Sequence, residues 1–177
     1  MTQVTVTTGQ GTWGKQRAYI GAVICIVTLC CCSKSVFGDW PDWRGPTADG
    51  HSDAAALPLR WSETENIAWK TAIHDSGHST PVVLDGQVWI TTAKEDGTVL
   101  YAVCADLNTG EVLRDIEVFR VEDPQSINAL NSYATPSACI ETGRVYVHYG
   151  TFGTACIDTG TGDILWRRSD LNCDHMQ

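Results

Sequence analysis

Basic residues are scarce in this sequence of 177 residues, which holds 12 lysines and arginines against 21 aspartates and glutamates. Three of the basic residues, Lys15, Arg17 and Lys34, precede Asp39, which is the first acidic residue. Residues 39–177 therefore carry nine bases against 21 acids, a net charge of −12. Because phosphate binding needs a basic surface, this deficit argues against nucleic acid as a partner.

Long apolar runs are also lacking, since the longest uncharged one, Tyr19–Cys32, is shorter than the roughly 20 residues of a membrane span. It has the length of a signal-peptide core, and Lys15 and Arg17 lie on its N-terminal side as export requires. We expect residues 1–38 to be a signal peptide or, as the alternative, a retained N-terminal membrane anchor. Lipidation at one of the cysteines that end the run is a third possibility. The protein is then exported to the periplasm or the cell exterior, and contacts a membrane only through this segment.

No Cys-x-x-Cys pair occurs after the apolar run, so the spacing gives no indication of a zinc site. Four cysteines remain there, namely Cys104, Cys139, Cys156 and Cys173. In an exported chain they could form two disulfides of undefined pairing, or they could pack as small buried hydrophobic residues. The sequence favours the second interpretation.

The histidines do not pair at a spacing typical of metal ligands. His148 is predicted to pack or hydrogen-bond within a strand. His74 and His78 are predicted to lie in a solvated loop, where a weak metal site is the alternative. We assign no catalytic, cofactor-binding or metal-binding residue from the sequence.

Two segments of the chain repeat one pattern with a period of 52–57 residues. The matched residues are Pro81 with Pro136, Gly86 with Gly143, Asp106 with Asp158 and Gly110 with Gly162. Turn signals such as Asp85-Gly86 divide each segment into four short antiparallel strands. The predicted strands cover 82–84, 87–90, 99–105 and 111–119, then 137–141, 144–149, 154–158 and 163–168. Four-stranded units of this period predict an all-β fold of propeller blades, with a β-sandwich as the alternative.

The end of the second unit, Cys156–Trp166, carries a motif with a mechanical interpretation. We expect Asp158 to accept N–H groups of the turn that follows it, and Gly162 to supply the backbone angle that reverses the chain. Trp166 can then bury its ring against the next blade. The segment resembles the tryptophan-docking motif of quinoprotein-type β-propellers, Ala-x-Asp-x-x-Thr-Gly-x-x-x-Trp, with a cysteine in place of the alanine.

The first copy of the motif keeps Asp106 and Gly110 but has Arg114 where the family has tryptophan. Upstream, residues 66–70 are predicted to be the last strand of a preceding blade, with Trp69 in the docking position. The opening segment Asp39–Pro46 also resembles the start of exported quinoprotein-like repeat proteins, which are abundant in planctomycete-type bacteria. The resemblance covers residues 39–177.

The resemblance implies an exported propeller scaffold that binds protein partners outside the cytoplasm and needs no cofactor, similar to BamB-type propellers. The alternative is part of a quinoprotein dehydrogenase, which would use pyrroloquinoline quinone and calcium. Enzymes of that class often carry a disulfide between adjacent cysteines. Here the only adjacent cysteines, Cys30, Cys31 and Cys32, lie in the export segment. We therefore leave enzymatic activity open and favour a non-enzymatic role.

The longest predicted loop, Arg120–Thr135, is the candidate binding region, because loops on a rigid scaffold often carry function. It contains Asn128, Asn131, Ser132 and Tyr133. Such residues can grip a peptide or a sugar, or they can equally cap strand ends.

The length of the repeat region sets an expectation for the architecture. Residues 39–177 amount to about two and a half units, whereas propellers close with roughly four to eight blades. We expect two to three blades, an incomplete propeller that belongs to a longer protein.

Overall fold

The computed structural model describes residues 38–54 and 57–171, and all of these belong to one compact unit, residues 35–177. Apart from Gly38, the predicted export segment lies outside the described residues, as does Cys173. Within the described ranges, no helix is both long enough and apolar enough to cross a membrane.

Two four-stranded antiparallel sheets make up the regular structure of the described residues, and neither sheet closes on itself. The first sheet has the strands β1 (Val82–Leu84), β2 (Gln87–Ala93), β3 (Val99–Asp106) and β4 (Val112–Arg120). The second has β5 (Cys139–Glu141), β6 (Arg144–His148), β7 (Thr154–Asp158) and β8 (Ile164–Arg168), with a short 3₁₀ turn over Gly150–Phe152 between β6 and β7. Strands follow one another in chain order in both sheets. The predicted all-β class and the four antiparallel strands per unit are confirmed.

The turns between β3 and β4 and between β7 and β8 are held by the two repeated aspartates. Asp106 Oδ1 accepts the backbone N–H of Thr109 at 2.8 Å, and Asp158 Oδ1 accepts that of Thr161 at 2.8 Å. These hydrogen bonds lower the pKa of both carboxyls, because N–H donors favour the ionised form. The predicted role of Asp158 in its turn is confirmed, and Asp106 makes the same contact.

Each sheet has two distinct faces, which the strand pairing defines. The front face of the first sheet is marked by side chains that are neighbours across β1 to β4, namely Val82, Trp89, Cys104 and Arg114. At the equivalent positions, the front face of the second sheet has Cys139, Tyr146, Cys156 and Trp166. The back face of the second sheet has Val145, Val147, Ala155 and Ile157.

The two sheets pack with unlike faces. Val82, Trp89 and Cys104 on the front of the first sheet share one buried cluster with Val145 and Ile157 on the back of the second. A sandwich of two equivalent repeats related by a twofold axis would bring like faces together. Contact between unlike faces is instead heterologous, so the same contact can be repeated between each unit and the next.

Trp69 docks on the glycine turn of the first sheet. Its indole Nε1 donates to the carbonyl of Leu107 at 2.8 Å. A Cβ on Gly110, which has a positive φ of 74°, would lie 2.5 Å from the indole ring. The ring therefore occupies space that only a glycine leaves open.

Arg114 makes the equivalent contact on the turn of the second sheet. Its guanidinium donates to the carbonyl of Gly160, and its Cδ would lie 2.9 Å from a Cβ on Gly162. Arg114 thus occupies over Gly162 the place that Trp69 occupies over Gly110. Arginine at this position has an energetic cost, because Arg114 Nε is buried and has no hydrogen-bond partner.

The prediction that Trp166 is buried against a neighbouring strand is wrong for the described chain. Its side chain is 42% exposed, and its ring lies beside Tyr146 with the centroids 6.1 Å apart. Trp166 is on the front face of the second sheet, and no further sheet covers that face within the described residues. Because the ring is already half exposed, its removal from this chain costs far less than loss of a buried aromatic.

The strand predicted over residues 66–70 is also absent, because the segment is irregular. Before Val82 the described chain contributes only isolated bridges, so residues 66–70 find no strand with which to pair. The segment that follows crosses the back face of the first sheet instead. There Thr92 Oγ1 donates to the carbonyl of His74 at 2.8 Å.

The docking contact predicts unequal effects of two glycine substitutions. Gly86→Ala should cost about 1 kcal/mol, because Gly86 has a φ of +77° but nothing lies within 4 Å of an added Cβ. Gly110→Ala should cost a further ~1–3 kcal/mol, because the indole of Trp69 must also move. Urea unfolding of the two variants measures the difference. Equal losses of stability would contradict the docking geometry.

Candidate functional site

The two ends of the sheets differ in character. At one end, here called the docking end, lie the β1–β2 and β3–β4 turns and their counterparts in the second sheet. They are joined in the same way in both sheets, by Leu107 N–H to Gly86 O at 2.9 Å and by Thr159 N–H to Gly143 O at 3.1 Å. The opposite end, here called the loop end, carries the β2–β3 and β6–β7 turns and the long β4–β5 loop. The repeated motifs thus serve packing at the docking end and leave the loop end free to vary.

A cleft of about 580 Å³ opens at the loop end. Its lining comes from the β4–β5 loop and the β6–β7 turn, and consists of Gln125, Ser126, Ile127, Asn128, Asn131, Ser132, Tyr133, Thr135, Pro136, Tyr149, Gly150 and Phe152. None of these described lining residues is charged. A second recess of about 300 Å³ shares the loop wall and adds Lys94 and Glu95. The cleft is lined by all four loop residues that the sequence analysis proposed for binding, namely Asn128, Asn131, Ser132 and Tyr133.

The polar residues of the loop hold its backbone. Asn128 Oδ1 accepts the N–H of Leu130 at 2.9 Å, and Asn131 Oδ1 accepts the N–H of Ser132 at 2.9 Å. Ser132 is buried, and its hydroxyl donates to the carbonyl of Ser76 at 3.3 Å. The capping role considered for these residues is therefore present, and it uses the carboxamide oxygens of both asparagines.

Aromatic rings form the wall of the cleft. The ring of Tyr133 packs against Gly97, where an added Cβ would lie 2.6 Å from it, and its hydroxyl donates to Gln125 O at 2.9 Å. Phe152 lies against Tyr133 with the centroids 5.7 Å apart. Below them Tyr149 is buried, and burial raises the pKa of its phenol. The cleft thus has a rigid aromatic side and a hydrogen-bonded loop side.

Tyr149 and Phe152 were missed as site residues in the sequence analysis. The signal that could have revealed them is a difference between the repeats, because Gly150–Gly153 of the second unit departs from Lys94–Gly97 of the first. A position where a repeat stops repeating is a candidate for function.

No protein-family model and no curated protein matches this chain. A function must therefore be inferred from the repeated motifs, the stacked sheets and the cleft.

The cysteines of the described residues form no disulfide. Cys104 and Cys156 are buried and free, and Cys139 is exposed and free. Burial raises the pKa of the Cys104 thiol to about 12, so this residue stays a neutral thiol. The prediction of small buried hydrophobic residues is confirmed for Cys104 and Cys156 and is wrong for Cys139.

The predicted solvated loop is confirmed for His74 and His78, which are both exposed in the irregular segment before β1, but His74 also meets two carboxylates. Its Nδ1 is 2.6 Å from the Asp75 carboxylate and its Nε2 is 3.0 Å from that of Asp115 on β4, while the ring meets Tyr101 edge-on. The hydrogen bond to Asp75, and after it the hydrogen bond to Asp115, raises the pKa of His74. His148 is half-buried in β6 with Nδ1 2.8 Å from Thr154 Oγ1, so its predicted strand role is confirmed.

Metal ligands are not gathered in the described part of the chain. Across residues 38–54 and 57–171, no group of three or more His, Cys, Asp or Glu is placed to hold an ion.

His74 predicts a pH dependence of stability. Because its pKa in the folded state is raised above 6.5, the stabilisation is complete below pH 6.5 and is lost as the pH rises through the folded pKa. The contribution of His74 to the free energy of unfolding should therefore fall as the pH rises above 6.5. His74→Gln should flatten that fall, whereas His78→Gln, an exposed residue nearby, should leave it unchanged. Urea unfolding at several pH values decides it, and equal slopes in all three proteins would refute the role of His74.

Proposed function

We propose that this chain is part of an exported β-propeller of the quinoprotein-like repeat type, which serves as a scaffold or binding module for protein partners outside the cytoplasm. One observation carries the proposal. The two repeats stack front to back, and equivalent positions, Trp69 and Arg114, dock on equivalent glycine turns. Stacking of this kind suits a ring of blades, in which every sheet meets the next in the same way.

The sequence supports the same proposal independently of the packing. The docking motif recurs in both units, and the tryptophan-rich opening resembles that of exported repeat proteins of this type. Export is proposed from residues 1–38, which combine basic residues with a short apolar run.

The binding role is supported by the surface of the loop end. Leu130 sits at the tip of the β4–β5 loop with 90% of its side chain exposed. Its neighbours Asn128 and Asn131 fix the backbone around it, so the leucine is presented on an ordered turn. An exposed leucine on a rigid turn can contribute an apolar contact to a partner without a large entropic cost.

Photocrosslinking in the exporting cell tests the proposed function. A photoreactive phenylalanine analogue at position 130 should give a defined adduct with another envelope protein, because the loop end faces partners. The same analogue in place of Asn108, an exposed residue of the docking end, should give none. Adducts of equal yield from both positions, or none from position 130, would contradict the proposal.

A further inference from the structure

The loop-end cleft has the features of a ligand site that the scaffold role does not use. Its volume of about 580 Å³ falls within the range of small-molecule sites, which is roughly 300–1,000 Å³. Its walls are already held in place by the loop hydrogen bonds and by the packing of Tyr133 on Gly97. A ligand would therefore meet a formed site.

The side-chain amides of two asparagines in the cleft are held in a fixed orientation and keep unused hydrogen-bond donors. Asn128 and Asn131 each spend their carboxamide oxygen on a backbone N–H of the loop. Fixing the oxygen also fixes the Nδ2 group, and among the described residues neither Nδ2 donates a hydrogen bond. Each asparagine thus offers two N–H donors at a set position. Sugar hydroxyls can accept such bonds and can donate to carbonyl and hydroxyl oxygens nearby.

The remaining wall suits the apolar face of a sugar ring. Tyr133 and Phe152 are half-buried and line the cleft with aromatic carbon. A pyranose presents C–H groups on its faces and hydroxyls around its rim. The pairing of aromatic rings on one side with amide donors on the other matches both parts of that ligand.

Charge and secondary structure argue against other ligand classes. No described lining residue carries a charge that could form an ion pair with a phosphate, a carboxylate or an ammonium group. The lining residues lie outside the eight strands, so a peptide finds no free strand edge for β-augmentation. We propose that the loop-end cleft binds a neutral oligosaccharide. This site goes beyond the proposed scaffold role, although both use the β4–β5 loop.

Calorimetric titration of the purified full chain tests the proposal, with maltotriose, cellotriose and tri-N-acetylchitotriose as probes. At least one should bind saturably, with an affinity that added salt leaves unchanged, because no charge takes part. Asn128→Asp should weaken that binding about tenfold, since it removes two donors but keeps the acceptor for the N–H of Leu130. Asn131→Asp, which keeps the acceptor for the N–H of Ser132, should act alike and guards against a misfolded first variant.

Asn108→Asp is the matched control, because it makes the same chemical change at the docking end and should leave binding unchanged. The proposal is overturned if no probe binds saturably up to about 10 mM, a limit that corresponds to very weak affinity. It is also overturned if both loop variants, shown to be folded by circular dichroism, bind like the unchanged protein. A neutral proline-rich peptide that binds where all three sugars fail would reassign the cleft to a peptide.

Discussion

The arrangement of this protein depends on one kind of contact, in which a large side chain packs directly against a glycine because glycine lacks a Cβ. The indole of Trp69 occupies that position over Gly110, and the guanidinium of Arg114 occupies it over Gly162. Each glycine also has a positive φ, so the residue that permits the turn is the residue that permits the contact. Gly162 thus serves both a chain reversal and the packing of one sheet on the next, whereas Gly110 serves a chain reversal and the docking of the irregular segment that contains Trp69.

The docking contact has consequences for the whole molecule. It joins the front of one sheet to the back of the other, so it leaves the front of the second sheet, with Trp166, half open. It also concentrates the repeated residues at the docking end, where aspartate and glycine are tied to structure. The loop end carries none of these docking residues, and the cleft lined by Tyr133 and Phe152 lies there. The packing contacts and the cleft thus lie at opposite ends of the strands.

The parts of the fold that depend on local physics could be predicted from the sequence. Strand bounds agree within about three residues, because Asp85-Gly86 and the Asp106 and Asp158 turns have strong backbone preferences of their own. Non-local features were missed. Residues 66–70 fail to form a strand because the described chain gives them no partner, and Tyr149 joins the cleft only through tertiary packing. The contact of His74 with Asp115 was missed for the same reason, since the two residues are 41 positions apart.

If the chain is part of a propeller, as proposed, front-to-back stacking continues over the second sheet, and the oxidation of Trp166 tests this central claim most directly. Hydroxyl-radical footprinting would compare the recombinant chain of 177 residues with the protein in cells that export it. Trp166 should be oxidised readily in the recombinant chain and be protected in the cells, while Trp61, which is 68% exposed, reacts in both and the buried Trp89 in neither. Equal oxidation of Trp166 in the two samples would show that nothing docks on this face and would contradict the account.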